Sequence, residues 1–512
     1  MSTPPSARVP RPEPTPRTGL ALLVVMVGVL ITAVDTTIVI LALPEIERSL
    51  HVSLGSVIWV VIGYLLVLTL LTTQVGRLGD MFGRVRMYEA GFVVFVLGSL
   101  LCGLAWSEDA IIGARLLQGV GGALIAANSS AVIAETFPPE RRGQAFGFNA
   151  IGWNIGAVLG IVLGGLIVTT VSWRWVFLIN LPIGLGALAV ALRVLRDRGE
   201  RRRQRLDLLG MVVLGAGLFS LLWAMVELAS TPFSAAIATA LVGGVLLVAA
   251  FVGVERRQAQ PMLDLSLFRL PTLGSSMLAA LFQALGSFAV LFLLLMYLQG
   301  ARRLSPLDAS LLLVPGYIIG GVASPFVGRL VDRIGPARPA TAGLAIQVAA
   351  LLLYAQLGIT TALWMVAAIS VLNGVGSAAF FPANNAAVMT VAPPRAFGVA
   401  SGLLRTFANV GMIFSFSLAV LIASRSIPTR LAFAIFVGTD RLGAGAARVF
   451  TNGLHSAFYV STALLVLAAI FSAARLRPRA AVPAPLGPPG MAGDSTASPA
   501  PSREPASARR RR

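Results

Sequence analysis

Apolar residues run through this chain in blocks too long to be one face of a soluble helix. Stretches without Asp, Glu, Lys or Arg include 49–76, 143–173, 228–254, 270–301 and 339–394. A helix rises about 1.5 Å per residue and the hydrocarbon core of a bilayer is about 30 Å thick, so roughly 20 apolar residues make one crossing. With Arg, Pro and Gly as punctuation, the pattern predicts fourteen spanning helices near 19–43, 56–75, 88–106, 111–134, 145–170, 175–194, 208–229, 234–254, 274–298, 308–328, 339–358, 361–387, 399–423 and 455–474. The expected fold class is an all-α integral membrane protein with 14 transmembrane helices. The first run, Gly19 to Leu43, exceeds the 7–15 residues of a signal-peptide core and leads directly into further spans, so it reads as an uncleaved helix.

Composition narrows the chemistry. Of 512 residues, 56% are apolar and 12% charged, against about 25% charged in a soluble protein. One cysteine, Cys102, and two histidines, His51 and His455, leave no disulfide framework and no zinc or haem cluster, so neither metal nor cofactor is expected. The net charge of +19 comes entirely from arginine. In a membrane protein the position of that charge matters more than its sum, so the expected partner is lipid and not nucleic acid. Thirty arginines lie in the terminal segments and in the loops after even-numbered spans, against eight in the opposite loops. That bias places both termini in the cytoplasm of a cell whose inner (plasma) membrane holds the protein. Residues 1–18 and 475–512, rich in Pro, Ala and Ser, lack the apolar content to fold and read as disordered.

The chain also repeats itself. After span 2 it reads G-R-L-G-D-M-F-G-R from Gly76, and after span 10 it reads G-R-L-V-D-R-I-G-P-A-R from Gly328. Two six-span units carrying the same loop between their second and third helices, with spans 7 and 8 inserted, are the duplication typical of secondary transporters. Further motifs are D-T-T-I-V-I-L-A-L-P from Asp35, R-L-L-Q-G-V-G-G-A from Arg115 and W-R-W-V-F-L-I-N-L-P-I-G from Trp173. Together these resemble the major facilitator superfamily, and within it the fourteen-span drug:proton antiporters of the EmrB/QacA type, over roughly residues 20–475.

The resemblance implies two six-helix bundles, 19–194 and 274–474, joined by a basic loop and inserted spans at 195–254 and a linker at 255–273. It implies a monomeric transporter and no enzyme, exporting hydrophobic or cationic drugs against protons; an uncoupled exporter of one metabolite or lipid is the alternative. No phosphate-binding G-x-x-x-x-G-K-[ST] loop is present for an ATP-driven cycle.

Candidate residues follow. Asp35 lies two-thirds along span 1, where a charge at the centre of a bilayer costs at least ~2.5–3.5 kcal/mol. It can hold a proton or a cationic substrate, states that exclude one another, or it can be a helix-packing residue. Arg115 either pairs with such a carboxylate or bonds backbone carbonyls of neighbouring helices. Gly76, Gly79 and Gly83 suit a sharp turn. Asp80 beside them can accept helix N-terminal amides or pair with an arginine such as Arg84, a cytoplasmic latch by resemblance; Asp332 occupies the same place in the second copy. Gly156, Gly160 and Gly164, with Gly152, form a small-residue face on span 5, followed by Gly165. The family's proline after Gly160 is Ile161 here, which weakens the expected kink. Glu227 on span 7 either contacts substrate or protons or reaches the outer surface, and Arg405 with Asn409 on span 13 either line the cavity of the second bundle or form interhelical hydrogen bonds. Trp173, Arg174 and Trp175 suit an interfacial anchor.

Overall fold

The computed structural model describes residues 16–52, 54–136, 139–197, 206–258, 261, 263, 270–391, 397–425 and 444–476; among them there is no strand. The two terminal segments, save Pro16 to Thr18 and Arg475–Leu476, lie outside the described residues, as does much of the arginine run 193–205.

Each predicted span corresponds to a helix. The first six are α1 (Pro16–Leu50), α2 (Leu54–Phe82), α3 (Arg84–Gly103), α4 (Glu108–Thr136), α5 (Pro139–Thr170) and α6 (Trp175–Val194). An inserted pair follows, α7 (Leu208–Ser230) and α8 (Ala235–Glu255). The last six are α9 (Pro271–Ala301), α10 (Pro306–Ile334), α11 (Ala337–Tyr354), α12 (Leu363–Val391), α13 (Phe397–Arg425) and α14 (Ala444–Ala473). Many run past the apolar stretch that predicted them: α1 has 35 residues and so extends about 50 Å. Local chemistry sets several starts. The Asp207 carboxylate accepts from Gly210 N to open α7, Ser234 accepts from Ile237 N to open α8, and Ser305 accepts from Asp308 N just before Pro306 opens α10.

The sequence repeat reappears as a repeat of packing. α1 lies on α5 as α9 lies on α13; α2 and α3 pack on α4 as α10 and α11 pack on α12. α6 rests on α1 and α3, and α14 rests on α9 and α11. The two sets meet along two seams, α5 with α10 and α2 with α13, while α7 packs on α8, α2 and α13.

Small residues decide how close these helices come. A Cβ on Gly152 would sit 2.8 Å from Met26 Cγ, on Gly156 2.7 Å from Leu30 O, on Gly160 2.7 Å from Val34 O and on Gly164 3.0 Å from Ile38 Cγ1. One glycine per turn of α5 therefore admits one turn of α1, backbone against backbone. The adjacent Gly165 points elsewhere: its Cβ would lie 2.9 Å from Pro306 O on α10, at the seam between the two sets.

The repeated loop departs from expectation. Gly76 and Gly79 are helical residues of α2, which continues to Phe82, so they make no turn. The reversal falls on the final glycine of each copy, Gly83 at φ 109° and Gly335 at φ 80°. A residue with a Cβ is strained at such angles, whereas glycine is not. Gly79 instead provides clearance for the Asn128 side chain of α4.

Candidate functional site

The charged residues predicted on spans 1 and 4 meet. Arg115 Nη1 donates to Asp35 Oδ2 at 2.7 Å, with the two side chains 1% and 0% exposed. Gln118, one turn beyond Arg115 on α4, donates to Asp35 Oδ1 at 2.8 Å and to Ser99 Oγ of α3 at 2.7 Å. Asn180 of α6 reaches Asp35 Oδ1 at 3.4 Å. Arg115 also donates to Gln118 Oε1 at 2.6 Å and, through Nε, to Val60 O of α2 at 2.7 Å, and its guanidinium lies 4.3 Å from the centre of the Tyr64 ring. Five helices of the first set thus meet in one hydrogen-bonded cluster, two of them reaching the α1 carboxylate directly, and the two readings of Arg115 hold together: it pairs with Asp35 and binds a carbonyl.

A charge moved into low dielectric stays ionised only when its partners replace water. Asp35 has donors on both oxygens, and Arg115 has three acceptors and an aromatic face. In this conformation the carboxylate is spoken for by Arg115, so a cationic substrate finds no open acid there. Protonating Asp35 removes the charge that Arg115 answers and converts one acceptor oxygen into a donor.

Gln118, Asn180, Ser99 and Tyr64 belong to this cluster, and the sequence reading assigned none of them a role. Gln118 stands three residues after Arg115, the spacing that puts two side chains on one helix face. Asn180 ends the polar-poor run after Trp173, a signal visible only once the fold brings α6 beside α1.

Other candidates lie elsewhere. Asp80 pairs with Arg84 at 2.7 Å within its own segment. The amide-accepting role is held by Asp197, after α6, whose Oδ1 takes Val85 N at 2.8 Å at the start of α3. Asp332 is exposed and has no ion pair among the described residues. Glu227 lies in the last turn of α7, where its carboxylate receives the Thr231 hydroxyl at 3.5 Å. Arg405 is exposed on α13. Trp173 is no interfacial anchor: it is 1% exposed, meets Phe177 edge-on at 6.2 Å and carries Arg174 over its ring, while Trp175, 52% exposed, keeps the outward position.

Residues 25–253 and 276–510 match the family described as the Major Facilitator Superfamily. The chain is 34% identical over 440 residues to the tetracenomycin C resistance and export protein of Streptomyces glaucescens, covering 83% of this chain and 78% of that one. It is 33% identical over 404 residues to the puromycin resistance protein pur8 of Streptomyces alboniger, covering 78% and 80%. Among solved structures, a bacterial homologue of the human lysosomal transporter Spinster superposes with a TM-score of 0.62 at 17% identity, over 90% of this chain and 96% of that one. Fold, helix repeat and relatives agree on a multi-pass membrane transporter and not an enzyme: the chain belongs to the Major Facilitator Superfamily.

Proposed function

We propose that the protein exports hydrophobic small molecules from the cytoplasm across the inner (plasma) membrane in exchange for protons. The observation that carries this reading is the Asp35 carboxylate, fully buried and held by Arg115, Gln118 and Asn180 from two other helices. A proton arriving at Asp35 weakens ties across the first bundle and a proton leaving restores them, which couples proton movement to helix rearrangement. Resistance and export relatives support the direction and the substrate type. In this reading a monomer works by rocking the bundles 19–194 and 274–474 about a central cavity, with both termini cytoplasmic and the Asp80–Arg84 segment at the cytoplasmic surface.

The test uses inside-out vesicles energised to an acid interior, with a panel of lipophilic drugs added to wild type and to Asp35→Asn. Drug-induced proton release in wild type and none in the variant is the expected result. Drug accumulation without proton release in wild type would sink the coupling. A second reading, uncoupled export, draws on Ile161: α5 runs unbroken through it, and its side chain is fully buried where the family carries a proline. If proton release is absent in wild type and Ile161→Pro does not create it, this second reading stands.

A further inference from the structure

We propose that the transport cavity selects substrates bearing an acidic group, and that Arg405 on α13 binds that group. The inference rests on the export reading and narrows its substrate class.

Arg405 lies about two turns into α13. Its side chain is exposed, yet α13 itself is packed among α9, α2, α7, α14 and α12. That combination describes a side chain bordering an internal opening, and not one packed in a core or turned to lipid. Among the described residues it has no hydrogen-bond or ion-pair partner. One turn further along the same face is Asn409, 6% exposed, whose Nδ2 donor has no partner. One turn before it is Gly402, where a Cβ would meet nothing within 4 Å. The spacing of 402, 405 and 409 puts all three on one face. Other positions of α13 are packed: on the opposite side Gly411 lies against Leu281 and Ala284 of α9, and beside the open position Thr406 meets Thr73 of α2.

The opening thus meets a guanidinium in want of an acceptor, with the unpaired Asn409 Nδ2 closed off behind it. A guanidinium presents five N–H groups in a planar fork and accepts nothing, and the fork fits a carboxylate through two parallel bonds. Interior charge points the same way. Among the described residues no acid pairs with Arg405, so its charge stands unanswered. A cationic substrate would be repelled there, and a lipophilic acid attracted. Asp35, the acid that could have held a cationic substrate, is closed by Arg115.

The experiment measures dye binding to the purified full-length protein in nanodiscs of phosphatidylcholine alone, so that no anionic lipid headgroup competes. Fluorescein, anionic at neutral pH, and rhodamine 6G, cationic on a similar ring system, are titrated by fluorescence anisotropy. Wild type should bind fluorescein at least about tenfold more tightly than rhodamine 6G, the effect of one charged hydrogen-bonded contact. Arg405→Gln should erase that preference, Arg405→Lys should keep part of it, and Asn409→Leu should weaken fluorescein binding to a smaller degree. Equal binding of the two dyes by wild type, no fluorescein binding by wild type, or unchanged fluorescein affinity in a folded Arg405→Gln variant would overturn the proposal. Should Arg405→Gln fail to fold, the Lys and Asn409 variants carry the same comparison. Binding is read without a proton gradient, so loss of export in vesicles would count against the export reading alone.

Discussion

Asp35 and Arg115 stand 80 positions apart in the chain, and each would be untenable at its depth without the other. Truncating one partner of a buried pair leaves an uncompensated charge, at a cost of about 3–5 kcal/mol, whereas replacing both by apolar groups is much milder. Arg115→Leu and Asp35→Leu should therefore each lower thermal stability in detergent sharply, and the double variant should recover a large part of the loss. Additive losses in the double variant would mean that the two side chains act independently. Gln118 adds a check at the same scale. Gln118→Leu removes donors to Asp35 Oδ1 and Ser99 but leaves Arg115 in place, so its effect should be smaller, about 1–3 kcal/mol, by the same measurement.

At the scale of elements, the spans were legible because membrane crossing imposes a length that apolar runs display directly. The glycine face of α5 was legible for a related reason: Gly152, Gly156, Gly160 and Gly164 recur once per turn, and each admits one turn of α1. What the sequence hid were features set by tertiary neighbours. Which glycine of G-R-L-G-D-M-F-G reverses the chain depends on where α2 stops, and apolar pattern places helix ends only loosely; the structure puts the end at Phe82 and the reversal at Gly83. Asp197 caps α3 from 112 residues away, a relation that local spacing does not encode. Gly165 looked like part of the α5 stripe, but the helical twist of about 100° per residue turns it onto α10. Two substitutions separate these effects. Gly160→Leu should wedge α5 off α1 and reduce the yield of folded, monodisperse protein, while Gly186→Leu, at an open position of α6, should be tolerated. Asp197→Ala should cost about 0.5–2 kcal/mol in thermal unfolding, the usual worth of a helix cap.

For the whole molecule, the two seams between the repeated sets are unlike each other. The α5–α10 seam is a direct approach, with Gly165 against the Pro306 carbonyl. The α2–α13 seam is flanked by α7, which contacts both helices and is fastened to α2 by mutual hydrogen bonds between Gln74 and the Asp207 backbone and by the Trp59–Phe219 ring contact at 5.3 Å. The inserted pair therefore flanks this seam in contact with both sets. Thr73 and Thr406 mark that joint, their hydroxyl oxygens 3.4 Å apart across the seam. Cysteines at both positions lie close enough to bridge, and the native Cys102 is buried away from oxidant. If the bundles move against each other here, Thr73→Cys with Thr406→Cys should export normally when reduced, stop on oxidation and recover with dithiothreitol, each single variant staying insensitive. Undiminished export by the oxidised, cross-linked protein would show that α2 and α13 travel together, and alternation would then have to occur wholly at the α5–α10 seam, where Gly165→Leu should block it.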